Sequence, residues 1–174
     1  MVATPNALAV DGHESVPETT AVHTKATYLE SLQLIERLHR RFLDVVKIEL
    51  ERIGATDINN VQSLILYNVN DDEMTVGELT YRGYYLGSNV SYNVKKLVAN
   101  GYLLQERSSH DRRSIRIRLT QKGMTIRQRI DSLYERNVEA LSDGPVSKHD
   151  LTALNRCLRN LERFWDAEVR YRSR

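Results

Sequence analysis

Two short stretches of this chain carry the side chains best suited to chemistry. Placed on a helix, Ser88–Asn100 turns Val90, Val94, Leu97 and Val98 to one side, at i, i+4, i+7 and i+8. The opposite side then presents Asn89, Ser91, Tyr92, Lys95 and Lys96, with Asn93 at one edge. Hydroxyls and amides of this kind hydrogen-bond base edges and phosphates, and lysines neutralise phosphates. Ser88 and Asn89 open the helix, where free backbone N–H groups also attract phosphate. The second stretch, Ser108-Ser109-His110-Asp111-Arg112-Arg113, is a polar tip rich in arginine. Arginine gains in a narrow minor groove from the negative potential concentrated there. Asp111 stands two residues before Arg113; it either holds that guanidinium in a fixed fork or caps the turn. The chemistry on offer is recognition of a polyanion. An ordinary solvated helix face is the competing reading, and the basic tip immediately downstream counts against it.

The charge of the whole chain, +2 over 174 residues, hides this segregation. Leu79–Arg129 holds eleven basic and two acidic residues, a net of +9, whereas the remainder holds fourteen and twenty-one, a net of −7. Widening the window to Asp71–Asp131 lowers the excess to +4, so the basic face is local. Five arginines fall between Arg107 and Arg118, including Arg116 on the return strand. Such a concentration in an otherwise acidic chain points to nucleic acid.

Other classes are excluded on composition and motif. One cysteine cannot form an internal disulfide, which removes the secreted disulfide scaffold and implies a reducing compartment. Apolar runs such as Leu64-Ile65-Leu66 fall far short of the roughly 20 residues of a membrane span, and no secretory signal is read at the first residues. A cytoplasmic protein without membrane contact is expected. The chain has no glycine-rich phosphate loop, no H-E-x-x-H and no G-x-S-x-G, so no catalytic residues are assigned. His13, His23, His39, His110 and His149 make no ligand spacing, so neither metal nor cofactor is expected. Cys157 stands among Leu154, Leu158 and Leu161 and reads as a buried packing residue.

The elements that must position these residues follow from periodicity. Residues 1–24 have no apolar period and read as a flexible arm. From Lys25, the series Tyr28, Leu32, Ile35, Leu38, Phe42, Val45, Ile48 or Glu49, and Ile53 marks a long helix stopped by Gly54. A shorter helix spans Asn59–Tyr67 with Val61, Leu64 and Ile65 inward. Thr75 and Glu78 have capping-box spacing and start a helix over Val76–Tyr81. Ser88 caps the next helix, and Gly101 ends it. The period then changes to two over Tyr102–Arg107 and Ser114–Leu119, a hairpin. Thr120 caps a helix with Ile126, Ile130, Leu133, Val138 and Leu141 as its stripe. After Gly144-Pro145, Ser147 with Asp150 opens a last helix whose seam is Leu151, Leu154, Leu158, Leu161 and Trp165. Eight glycines and three prolines agree with a mainly α chain bearing a small β-hairpin wing. The architecture read is a winged helix-turn-helix over 58–119, with long dimerisation helices over 25–57 and 120–174.

Asp111-Arg112-Arg113 followed by Leu119-Thr120-Gln121-Lys122-Gly123 matches the D-x-R-x5-L-T-x-x-G wing signature of the MarR family of bacterial transcription regulators. Val94–Leu103 resembles that family's recognition helix running into the first wing strand. The resemblance implies an obligate homodimer that binds double-stranded DNA at a pseudo-palindromic operator and represses transcription in response to a ligand. It would place Ser88, Asn89, Ser91, Tyr92, Lys95 and Lys96 in the major groove and Arg112 or Arg113 in the minor groove, with Arg116 alongside. It also implies a small aromatic or phenolic effector, for which His39, Phe42 and Tyr67 are the pocket candidates, each of them read first as core or interface. The competing functions are a sequence-nonspecific nucleoid-type binder and a winged-helix protein-interaction module.

Overall fold

The computed structural model describes residues 18–69, 73–83, 87–107, 115–142 and 144–172. The chain divides into two compact units, residues 1–43 and 44–174. Within the first lies most of helix α1 (Glu18–Arg52), which begins seven residues ahead of the expected Lys25, in the run after Pro17 that contains neither glycine nor proline. Along it Leu32, Ile35 and Phe42 are half-buried, while Tyr28 and Leu38 are exposed.

The second unit begins with the last turns of α1. Helices α2 (Asn60–Asn68), α3 (Val76–Gly83) and α4 (Gly87–Ala99) follow, with strand β1 (Met74–Thr75) just before α3. Strands β2 (Leu103–Arg107) and β3 (Ile115–Leu119) form the hairpin, and α5 (Gln121–Ser142) and α6 (Lys148–Arg172) complete the chain. The sheet has the order β1-β3-β2 with both pairings antiparallel, Met74 opposite Ile117 and Leu103 opposite Leu119. A two-residue strand is too short to show a period, which is why β1 escaped the sequence reading.

The two capping boxes are as read. Thr75 Oγ1 accepts from Glu78 N at 3.1 Å while Glu78 Oε2 accepts from Thr75 N at 2.6 Å. Ser147 and Asp150 repeat the arrangement at 3.2 and 2.9 Å. Asn59 and Gln62 form a further reciprocal cap at the start of α2. Helix α4 begins at Gly87, one residue earlier than expected, which puts Ser88 in its first turn rather than at its cap. Its far end closes as a Schellman motif: Gly101 takes φ +74°, Tyr102 N donates to Leu97 O at 2.8 Å, and Gly101 N donates to Val98 O at 3.0 Å.

The core gathers Val46, Leu50, Ile65, Leu66, Leu79, Val90, Leu97, Tyr102, Ile117 and Ile130. Helix α2 departs from the expected face. Gln62, Ser63, Ile65 and Leu66 are buried, whereas Val61 and Leu64 are only half-buried. It packs against α3, α4 and α5 together, so no single stripe defines its interior. The choice between Ile48 and Glu49 resolves against the hydrophobe: Ile48 is 63% exposed and Glu49 only 5%. Helix α5 buries Ile126, Ile130 and Leu133 but leaves Val138 and Leu141 exposed. None of the residues of α6 is buried, and Leu151, Leu154 and Leu158 are exposed, with Leu161 and Trp165 half-buried. Cys157 is exposed too, contrary to the sequence reading, on a helix of which no residue is buried.

Candidate nucleic-acid interface

Helix α4 is held by its apolar side. Val90, Val94 and Leu97 are buried and Val98 is half-buried. Asn89, Ser91, Tyr92, Lys95 and Lys96 stand exposed on the other side. Lys96 Nζ lies 5.9 Å from the centre of the Tyr92 ring, one helical turn apart, so the cation and the aromatic form one contact surface. Asn93 behaves differently from its neighbours. Its Nδ2 donates to Asn89 O at 2.9 Å and its Oδ1 accepts from Gln62 Nε2 at 3.2 Å, which ties α4 to α2. Nothing in the sequence marked Gln62, since its partner lies 31 residues away.

On the hairpin, Arg116 and Arg118 are exposed, whereas Ile117 and Leu119 face the core. Each arginine meets a carboxylate: Arg116 with Glu73 at 3.1 Å and Arg118 with Glu106 at 3.5 Å. Arg116, expected at the interface, is thus already engaged by an acid ahead of β1. Asp111, Arg112 and Arg113 lie outside the described residues, as does the side chain of Ser88.

The root of the hairpin explains the L-T-x-x-G spacing. Thr120 Oγ1 accepts from Gly123 N at 3.1 Å, capping α5, and donates to Gly101 O at 2.7 Å and Tyr102 O at 3.1 Å. A Cβ on Gly123 would collide with the Tyr102 carbonyl, so only glycine lets α5 approach the end of α4 this closely.

The effector candidates do not behave as one group. Tyr67 lines an open cavity of about 420 Å³ with Met124, Arg127, Gln128 and Asp131. Its hydroxyl donates to Asp131 Oδ1 at 3.2 Å and its ring stands edge-on to Tyr134, the centres 4.9 Å apart. Burial, helped by the Asp131 carboxylate, raises the pKa of the Tyr67 phenol. His39 is exposed and Phe42 half-buried on the part of α1 that belongs to the first unit. Among the described residues no cluster of His, Cys, Asp or Glu could hold a metal ion, and no helix is long and apolar enough to cross a membrane.

Residues 58–123 match a winged helix DNA-binding domain family. The FabT protein of Streptococcus pneumoniae in complex with DNA superposes with a TM-score of 0.65 at 20% identity, over 80% of this chain and 98% of that one. A mutant MarR from E. coli complexed with operator DNA gives 0.59 at 17% identity, over 76% and 95%. The Rhizobium meliloti (strain 1021) protein named exopolysaccharide II synthesis transcriptional activator ExpG is 36% identical over 145 residues, covering 83% of this chain and 75% of that protein. The chain belongs to the MarR family. As a MarR-family protein it is a DNA-binding transcriptional regulator and not an enzyme. The family match coincides with α2 through the start of α5, the segment that holds α4 by its apolar side and leaves its polar side in solvent.

Proposed function

We propose that this MarR-family regulator binds a pseudo-palindromic operator as a homodimer, with α4 in the major groove. The observation that carries the reading is the exposed row of Asn89, Ser91, Tyr92, Lys95 and Lys96 on a helix anchored from behind by valine and leucine. Ser88 joins this set at the helix N-terminus, where backbone N–H groups favour phosphate. Arg112 or Arg113 of the wing reaches the minor groove, Asp111 is the positioning residue beside them, and Arg116 flanks the contact. Two copies related by a two-fold axis place their recognition helices about 34 Å apart along the duplex. Residues 58–119 form each reading head, and the helical segments 25–57 and 120–174 form the dimer. The exposed leucines of α6 support this, because such a stripe on a water-soluble helix calls for a covering surface.

The effector in this reading is an aromatic or phenolic molecule that changes the spacing of the two heads. The Tyr67 cavity, with an arginine and an amide beside it, has the size and polarity for such a ligand. Operator occupancy that blocks a promoter gives repression. The name of the Rhizobium relative favours activation as the second reading, by the same contacts at a site upstream.

Selection of random duplex DNA by the purified protein at near-physiological salt tests the function. A two-fold motif with half-sites about ten base pairs apart is expected. Enrichment without a motif would indicate a nucleoid-type binder, and no enrichment at low salt an interaction module. A promoter fusion carrying the selected site then separates repression from activation.

A further inference from the structure

One acid outside α4 links the end of that helix to the start of α5. Asp57 lies in the loop between α1 and α2. Its Oδ1 accepts from the Tyr102 hydroxyl at 2.5 Å and its Oδ2 from Lys122 Nζ at 2.7 Å, while its carbonyl accepts from Asn100 Nδ2 at 2.7 Å. Lys122 closes the ring: its Nζ also donates to Asn100 O at 3.0 Å and sits 4.0 Å from the centre of the Tyr102 ring. Asn100 and Tyr102 flank the glycine that ends α4, and Lys122 is in the first turn of α5. The Lys122 ammonium, then the Tyr102 hydroxyl, hold the Asp57 carboxyl below the usual carboxylate range.

We infer that Asp57 is a positioning residue for DNA recognition: through Tyr102, Asn100 and Lys122 it sets the pose of α4 against α5 and the α1–α2 loop. The cluster fits this role because one carboxylate satisfies donors from two different elements at once. An amide matches it less well: its oxygen can still take Lys122, but its NH2 must turn to the Tyr102 oxygen, and the charge that strengthens both contacts is gone. Apolar packing of Val90, Val94 and Leu97 keeps α4 in the unit but resists sliding and rotation weakly, whereas short charge-assisted hydrogen bonds are directional. The inference rests on α4 being the recognition helix.

The test compares full-length wild type, Asp57→Asn and Tyr102→Phe on two probes: a duplex recovered by selection and a random-sequence duplex of equal length. Asp57→Asn is expected to lower affinity for the selected duplex about tenfold, with Tyr102→Phe smaller in the same direction. Affinity for the random duplex and the salt slope stay at wild-type values, because phosphate contacts remain. Equal affinities of wild type and Asp57→Asn on the selected duplex would overturn the inference. So would a parallel fall on both probes with lower thermal stability, which marks a merely structural residue. A slope shallower by about 0.9 would also overturn it, by making the cluster a phosphate contact. Failure of wild type to prefer any sequence would sink the reading of α4, and this inference with it.

Discussion

Glu49, buried near the end of α1, accepts an ion-pair contact from Arg136 of α5 at 2.9 Å, and Arg52 binds the same carboxylate through two hydrogen bonds at 2.7 and 2.9 Å. Helical periodicity leaves Ile48 and Glu49 as alternatives here and gives no reason to prefer the acid. Two guanidiniums around one carboxylate do, because they offset its desolvation.

This pairing makes stability depend on pH in a definite direction. Arg52, ahead of Arg136, lowers the pKa of Glu49 in the folded chain. A carboxyl depressed on folding contributes stability above its unfolded value of about 4.3, lost as pH falls through the lower folded value. Glu49→Gln is expected to cost about 1–2 kcal/mol at pH 7. The difference from wild type should shrink in urea titrations below pH 4.3. A difference that is constant with pH would remove the ion pair as its origin.

Glycines at the root of the wing differ in what they tolerate. Gly101→Ala places a side chain in open space but at φ +74°, costing about 1–2 kcal/mol. Gly123→Ala meets the Tyr102 carbonyl, and only movement of α5 or the hairpin relieves it. Thermal denaturation should show the second loss larger than the first. The reverse order would contradict the close approach of α5.

Charge on the reading face should be countable in salt. Lys96→Ala and Arg113→Ala are each expected to weaken DNA binding and make the slope of log affinity against log salt shallower by about 0.9. Glu73→Gln acts oppositely: it releases Arg116 from its 3.1 Å partner, so affinity should rise and the slope steepen. Fluorescence anisotropy across a salt series reads all three. Unchanged slopes in both cation variants would remove the assigned face.

The α6 stripe predicts assembly. Leu154, 46% exposed in the single chain, should be covered in the homodimer. Leu154→Asp is expected to shift the protein to a monomer in sedimentation velocity and to abolish binding to a two-fold site, with the fold of each head intact by circular dichroism. A dimer of unchanged strength would place the interface elsewhere.

What the sequence by itself determined is local. The Thr75–Glu78 and Ser147–Asp150 caps, the positive-φ turn at Gly101, the change of period at Tyr102 and the anchored face of α4 all depend on residues within a turn or two of each other. Spacing encodes such relations directly. Only the tertiary structure decided the rest. Glu49 is inside because Arg136 arrives from α5, 87 positions along the chain. Helix α2 buries Gln62 and Ser63 because three helices meet around it. Arg116 is spoken for because β1 brings Glu73 to it. Asp57 holds partners 45 and 65 residues distant, and Cys157 is exposed on a helix of which no residue is buried. In each case the deciding free energy, of desolvation and of hydrogen bonds between remote elements, exists only once those elements have met.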